Sequence, residues 1–209
     1  MKYNRENVDG RIIAAACKLF TEKGYPGTSV TDILEEAKVT RRTCYLHYSS
    51  KLDLFVAVVD NTLKDIYSKF KKSIQEIDYA DPDGFLFYLK ALVESLNQCG
   101  GLLYTLWAME NEEFENQVSE KLYHSYRTAS LGLRKEIISD VDKFYQNGAI
   151  NFSNAEVLTD AILAIYKGMY VHIRKEKNYE IADLSFDELF AAILRIISYG
   201  ILDKKEKPE

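Results

Sequence analysis

Proline and cysteine are scarce in this chain, three of each in 209 residues. So few prolines leave long helices uninterrupted, and the long-period alternation of polar and apolar residues points the same way, to an all-α fold. The cysteines, Cys17, Cys44 and Cys99, are odd in number and widely spaced. They match no zinc or disulfide framework, so free thiols and a cytoplasmic location are expected. No apolar run approaches the roughly 20 residues of a membrane span, so no membrane partner is expected. The opening MKYNRENVDG has no apolar segment of the kind a secretory signal needs. Catalytic groupings are also missing. His124 and His172 stand alone, without a carboxylate or cysteine at ligand spacing, and read as structural or surface residues. No nucleophile–base–acid set, phosphate loop or metal signature occurs. The expectation is a protein that is not an enzyme, with no catalytic residue, no metal and no cofactor.

What is present is a core and an uneven charge. Hydrophobic residues make up 47 % of the chain and charged residues 28 %, enough for one small domain and one medium one. The net charge of −5 argues against non-specific nucleic-acid binding by the molecule as a whole. Residues 1–51 carry nine Lys/Arg against six Asp/Glu, a balance of +3, and the remaining 18 basic and 26 acidic residues balance to −8. A basic end on an acidic body suits a DNA-binding head.

The first helix can be capped by Asn4 or Asn7 and runs to about Lys23, with Ile12, Ile13, Ala16, Leu19 and Phe20 in one stripe. Gly24 suits the left-handed position that ends a helix, and Tyr25-Pro26-Gly27 forces a turn. The stretch Thr28 to Lys51, TSVTDILEEAKVTRRTCYLHYSSK, then packs three helix starts into twenty-four residues. Thr28, Ser29, Thr40 and Ser50 are cap residues. Ser29 with Asp32 makes a capping box for a short helix whose apolar side is Ile33, Leu34 and Ala37, and Ser50 with Asp53 makes a second. Lys38-Val39 is a tight turn with Val39 inward. Thr40 caps a helix from Arg41 to about Tyr48, with Cys44 inward.

Two short helices joined by such a turn make a helix-turn-helix, and the second is placed to enter a DNA groove. Arg41 and Arg42 can reach guanine or phosphate, and Thr43 a thymine methyl or phosphate. Tyr45 and His47 can donate to phosphate oxygens, and Lys51 sits at a helix N-terminus that also attracts phosphate. Read singly, each of these residues also has an ordinary structural role, as cap, core or surface.

The run GYPGTSVTDILEEAKVTRRTCYLHYSSKLDLF, preceded by IIAAACKLFTEKGY, resembles the N-terminal DNA-binding domain of the tetracycline-repressor (TetR) family over about residues 10–56. The resemblance implies DNA contacts at Thr40, Arg41, Arg42, Thr43, Tyr45, His47 and Lys51, and phosphate or base contacts at Ser29 and Thr31. Two departures stand out. Lys38 replaces the usual turn glycine, at a cost of about a kilocalorie if the position is left-handed. Tyr48 replaces the usual phenylalanine. The implied organisation is a DNA-binding domain over residues 1–50 and a helical ligand-binding and dimerisation domain over 51–209.

Beyond Lys51, a long helix is expected to about Ile77 and is the natural lever between head and body. The next runs from about Asp83 to Gln98 and ends at Gly100-Gly101. A short helix follows from Leu102 to Glu110. A single long helix, capped by Asn111, reaches about Gln146 and stops at Asn147-Gly148. The last two span Ala155 to about Lys177 and Phe186 to Leu202. Small residues line one face of each: Ala161, Ala164 and Gly168 on the first, Ala192, Ile196 and Gly200 on the second. With Ile193, Leu194, Ile197 and Ile201 they suit either burial within one subunit or, the reading favoured here, a two-fold four-helix dimer interface. The resemblance implies the same dimer. Tyr88, Tyr104, Trp107, Tyr126, Tyr166 and Tyr170 lie on helices expected to surround one interior space. They either pack the core or line a pocket for an aromatic or amphipathic small molecule, and the pocket is what the resemblance implies.

The resemblance thus implies a ligand-responsive transcriptional regulator, a repressor in most of the family. As a homodimer it binds a palindromic double-stranded DNA operator and is released by a small-molecule effector. An architectural or protein-interaction factor of the same fold, without a ligand, is the other reading.

Overall fold

A computed structural model describes residues 5–110, 112–179 and 185–200 of the chain. Among them lie ten helices and no strand: α1 (Arg5–Gly27), α2 (Val30–Ala37), α3 (Arg41–Tyr45), α4 (Lys51–Ser73), α5 (Pro82–Asn97), α6 (Gly100–Met109), α7 (Glu112–Gln117), α8 (Glu120–Gln146), α9 (Ala155–Tyr179) and α10 (Phe186–Gly200). The cap residues Asn4 and Asn111, and Ile201 and Leu202 at the last helix, lie outside the described residues. The helices group into two compact units, Met1–Asp65 with Cys99–Ser130, and Ile66–Gln98 with Leu131–Glu209. Both α4 and α8 contribute to each.

The first unit is built on the apolar stripe of α1. Ile12, Ala16, Leu19 and Phe20 are buried with Ile33 and Leu34 of α2, Cys44 of α3 and Leu54, Phe55 and Val58 of α4. Phe55 receives Phe20 and Tyr25 edge-on, with ring centroids 5.2 and 5.0 Å apart, a preferred aromatic geometry. Gly24 interrupts α1 with φ 72°, ψ 166°, where a side chain would be strained. Thr28 is no N-cap. It is buried, and its hydroxyl turns back to the Leu19 and Gly24 carbonyls at 3.0 and 2.8 Å, satisfying acceptors that the end of α1 leaves open.

The single helix expected from Asn111 to Gln146 is two, α7 and α8. The Ser119 amide donates to the Asp53 carboxylate at 2.8 Å instead of joining a helical ladder. The Ser119 carbonyl in turn accepts from Leu122 and Tyr123 at the start of α8. Gly100 and Gly101 begin α6 rather than ending α5. The regular part of α4 stops at Ser73, and four-residue turns, Lys72 to Gln75 and Ile74 to Ile77, finish the segment.

In the second unit, Phe70 of α4, Phe85 and Tyr88 of α5 and Phe144 of α8 interlock, with centroids 5.1–5.5 Å apart. Beside them the buried Asp140 accepts from Tyr79 at 3.1 Å, Tyr88 at 3.5 Å and Lys143 at 2.8 Å, and pairs with Lys71 at 3.4 Å. A carboxylate with this many donors is compensated for its burial. Arg134 of α8 clasps Asp160 and Glu156 of α9 at 2.7–2.8 Å. The recess between α5, α9 and α10 is lined by Leu89, Val93, Ile162, Ile165, Tyr166, Met169, Phe190, Ile193 and Ile197.

Candidate nucleic-acid interface

The interface is assembled from local chain chemistry. Ser29 caps α2: its hydroxyl accepts from the Asp32 amide at 3.1 Å while the Asp32 carboxylate accepts from the Ser29 amide at 3.0 Å. These bonds, from the Ser29 backbone first and its side chain next, hold the Asp32 carboxyl below its ordinary range. At the other end, Lys38 adopts φ 53°, ψ 50°. Its amide donates to Glu35 and that of Val39 to Leu34, at 3.2 and 3.1 Å, the paired bonds of a Schellman turn. The turn glycine expected of the family is thus replaced by lysine with the left-handed geometry kept.

Thr40 caps α3. Its hydroxyl accepts from the Thr43 amide at 3.2 Å and pairs with the Thr43 hydroxyl at 2.8 Å. The helix closes after Tyr45 rather than near Tyr48. It buries Cys44 and leaves Arg41 and Arg42 exposed. The Arg41 guanidinium lies 5.9 Å from the Tyr45 ring centre, and Tyr45 is 47 % exposed. Ser29, Thr31, Thr40 and His47 are also exposed, and Thr43 and Lys51 partly so. Lys51, at the first position of α4, rests its ammonium 4.2 Å from the Tyr25 ring centre. Burial lowers the Lys51 pKa.

Asp53 opens α4. Its amide donates to Ser50 Oγ at 3.0 Å, but its carboxylate returns to the Ser49 amide at 3.1 Å, one residue earlier than a reciprocal box with Ser50 requires. Lys18 of α1 ties α2 through Glu36 at 2.8 Å.

Three features escaped sequence reasoning. Leu46 is 78 % exposed directly after α3. Asp9 of α1 accepts the Tyr48 hydroxyl at 2.7 Å and lies 3.4 Å from His47 Nδ1. The one legible signal was tyrosine at position 48 in place of phenylalanine, since a buried hydroxyl needs a partner.

The six aromatic candidates divide between the units. Tyr104, Trp107 and Tyr126 belong to the first, Tyr88, Tyr166 and Tyr170 to the second. Tyr126 donates to Glu110 at 2.8 Å, Tyr88 is fully buried against Asp140, and Tyr166 lines the α5–α9–α10 recess while donating to Asn97 at 3.1 Å. The small-residue faces are on the surface: Ala161, Ala164 and Gly168 on α9 and Ala192, Ile196 and Gly200 on α10 are all exposed. Val157 and Ile165 beside them are also exposed.

Among the described residues no three His, Cys, Asp or Glu side chains gather as metal ligands would, and no helix is long and apolar enough to cross a membrane.

Comparison with known proteins agrees with this geometry. Residues 12–58 match the family described as bacterial regulatory proteins, tetR family. The HTH-type transcriptional repressor DhaR of Mycobacterium sp. (strain GP1) is 23 % identical over 191 residues, 91 % of this chain and 94 % of that one. The uncharacterized HTH-type transcriptional regulator in the lacX 3' region of Lactococcus lactis subsp. lactis is 39 % identical over 62 residues, 30 % of this chain and 32 % of that relative. The transcriptional regulator FadR of Bacillus subtilis, solved in complex with stearoyl-CoA, shares the fold at a TM-score of 0.69, with 16 % identity, covering 92 % of this chain and 98 % of the other. The Ser29- and Thr40-capped helices lie within the matched residues, so residues 12–58 form a helix-turn-helix of the tetR family of bacterial regulatory proteins.

Proposed function

We propose that the chain is a cytoplasmic repressor that binds a palindromic operator as a homodimer and is released by a small-molecule effector. The observation that carries the DNA-reading part is the exposure of Arg41, Arg42 and Tyr45 on a short helix whose opposite side, Cys44, is buried. Two such helices related by a two-fold axis enter successive major grooves about 34–36 Å apart. Ser29, Thr31, Thr40, Thr43, His47 and Lys51 fix the register through the phosphates.

The exposed faces of α9 and α10 support the dimer. Ala161, Ala164, Gly168, Ala192 and Gly200 let helices approach closely, and pairing with a second copy removes Ile165 and Ile196 from water. The effector is an apolar or amphipathic molecule. Supporting this are the apolar α5–α9–α10 recess with Tyr166 in its wall and the stearoyl-CoA bound by FadR of Bacillus subtilis. A molecule in that recess touches α10, so it bears on the helix that sets the spacing of the two heads. It releases DNA by binding more tightly to the form whose head spacing does not fit the operator.

The test is the double variant Arg41→Ala with Arg42→Ala. Specific operator binding is lost in a gel-shift assay while the protein keeps its thermal melting temperature and its oligomeric state. Unchanged affinity overturns the assignment of the reading helix.

A further inference from the structure

Asp9, His47 and Tyr48 form a cluster at the exit of α3 to which three separate features contribute. Asp9 Oδ1 accepts from the Tyr48 hydroxyl at 2.7 Å and stands 3.4 Å from His47 Nδ1. Tyr48 is buried, while the His47 and Asp9 side chains keep contact with solvent. The groups facing the imidazole are this carboxylate from α1 and the Tyr48 ring, 6.2 Å away between centroids. Burial, reinforced by the bond to Asp9, pushes the Tyr48 phenol upward. Tyr48 therefore remains a donor and holds the carboxylate in place.

The consequence lies in proton bookkeeping on His47. An ionised carboxylate only accepts, so a neutral ring meets Asp9 without lone-pair repulsion only when its hydrogen is on Nδ1. In a neutral ring of that tautomer Nε2 is a bare lone pair, an acceptor only. A DNA phosphate offers only acceptors. Nε2 can bond to it only when the ring is the imidazolium, with both nitrogens protonated. In the complex, a carboxylate on one side of the ring and a phosphate on the other pair with that charged form.

We propose that Asp9 is a positioning residue that holds His47 to capture a backbone phosphate as the imidazolium, so that DNA binding takes up one proton per head. This rests on the reading of residues 40–51 as the DNA-contacting segment. Affinity is then highest at mildly acidic pH and falls as pH rises.

The experiment uses the full-length chain and the duplex that the wild-type protein enriches from a random-sequence pool. Affinity is read by fluorescence anisotropy at fixed ionic strength from about pH 6 to 8.5, spanning the histidine range. The expected result is a wild-type affinity that falls with pH, approaching about tenfold per pH unit for each head that takes up a proton. His47→Gln flattens the profile and makes the salt dependence shallower by about one phosphate per head. Asp9→Asn displaces the profile to lower pH, and Tyr48→Phe displaces it the same way by less. A purely structural role for Asp9 lowers the melting temperature and weakens binding equally at every pH, which overturns the proposal. So does a flat wild-type profile, or an Asp9→Asn profile that coincides with wild type. If no duplex is enriched, the DNA-reading assignment fails and this proposal with it. If a duplex is enriched and the profile is flat, only this proposal fails.

Discussion

Asp53 and Ser119 are 66 residues apart in sequence and joined by one hydrogen bond, from the Ser119 amide to Asp53 Oδ1 at 2.8 Å. The other oxygen, Oδ2, accepts from the Ser49 amide at 3.1 Å. One carboxylate, 2 % exposed, thus closes the loop between α3 and α4 and starts α8. Asp53→Asn leaves one oxygen for two amides and sets its NH₂ against the other. The expected loss is about 1–3 kcal/mol of stability, measured by chemical denaturation. A variant as stable as wild type contradicts the role given to this carboxylate.

Lys38 holds a left-handed conformation with a side chain attached. Lys38→Gly relieves that strain while keeping the Schellman bonds at Glu35 and Leu34, and part of the gain is returned because glycine is freer in the unfolded chain. A net stabilisation of about 0.5–1 kcal/mol, a rise of a few degrees in Tm, is expected. A fall in Tm shows that the lysine side chain contributes something the glycine cannot.

The cap of α2 is separable from its DNA role. Ser29→Ala removes the acceptor for the Asp32 amide and costs about 1 kcal/mol, measured as the change in the urea midpoint. Asp32, whose carboxyl is held low by its bonds to Ser29, contributes stability that is present above the ordinary carboxylate range. That stability is lost as pH falls through the lowered folded value. Ser29→Ala therefore weakens the acid dependence contributed by Asp32. Identical acid-unfolding curves for the two proteins contradict this coupling.

Alkali reaches the tyrosines by the opposite sign. Burial, with the bond to Glu136, pushes Tyr67 up to about 12. Burial also raises Tyr88, with Asp140 adding to it, and Tyr126, with Glu110 adding to it. A raised folded pKa means stability that is fully present below the unfolded phenol value of about 10 and lost as pH rises through the folded values. Phenolate absorbance and loss of helicity should rise together above about pH 10. Ionisation of these tyrosines with helicity intact would show that their burial does not resist alkali.

Ile196 is 71 % exposed on α10. Ile196→Asp places a charge at the centre of the proposed two-fold interface and should give a folded monomer by analytical ultracentrifugation, with operator affinity reduced by more than tenfold because a single head remains. A variant that sediments as a dimer removes this face from the interface.

The local elements were readable in the sequence because their causes are local. Ser29 and Asp32 lie within three residues of each other, so the capping box of α2 and its boundaries follow from chain chemistry. The same holds for Thr40 with Thr43, and for the buried stripe of α1, which a 3.6-residue period exposes to view. Tertiary contacts decided what periodicity could not. The break between α7 and α8 occurs because the Ser119 amide leaves the helical ladder for a carboxylate 66 residues away, and a Ser-Glu pair in a helical pattern carries no hint of that distant acceptor. Thr28, a cap by composition, became a donor to the end of α1 because the fold buries it there. The sequence makes His47 a phosphate donor or an ordinary surface residue, and only the fold brings Asp9, 38 residues earlier by numbering, beside it. The helix periods and caps depend on neighbours within one or two turns. The partner of a buried polar group is chosen by the folded chain as a whole.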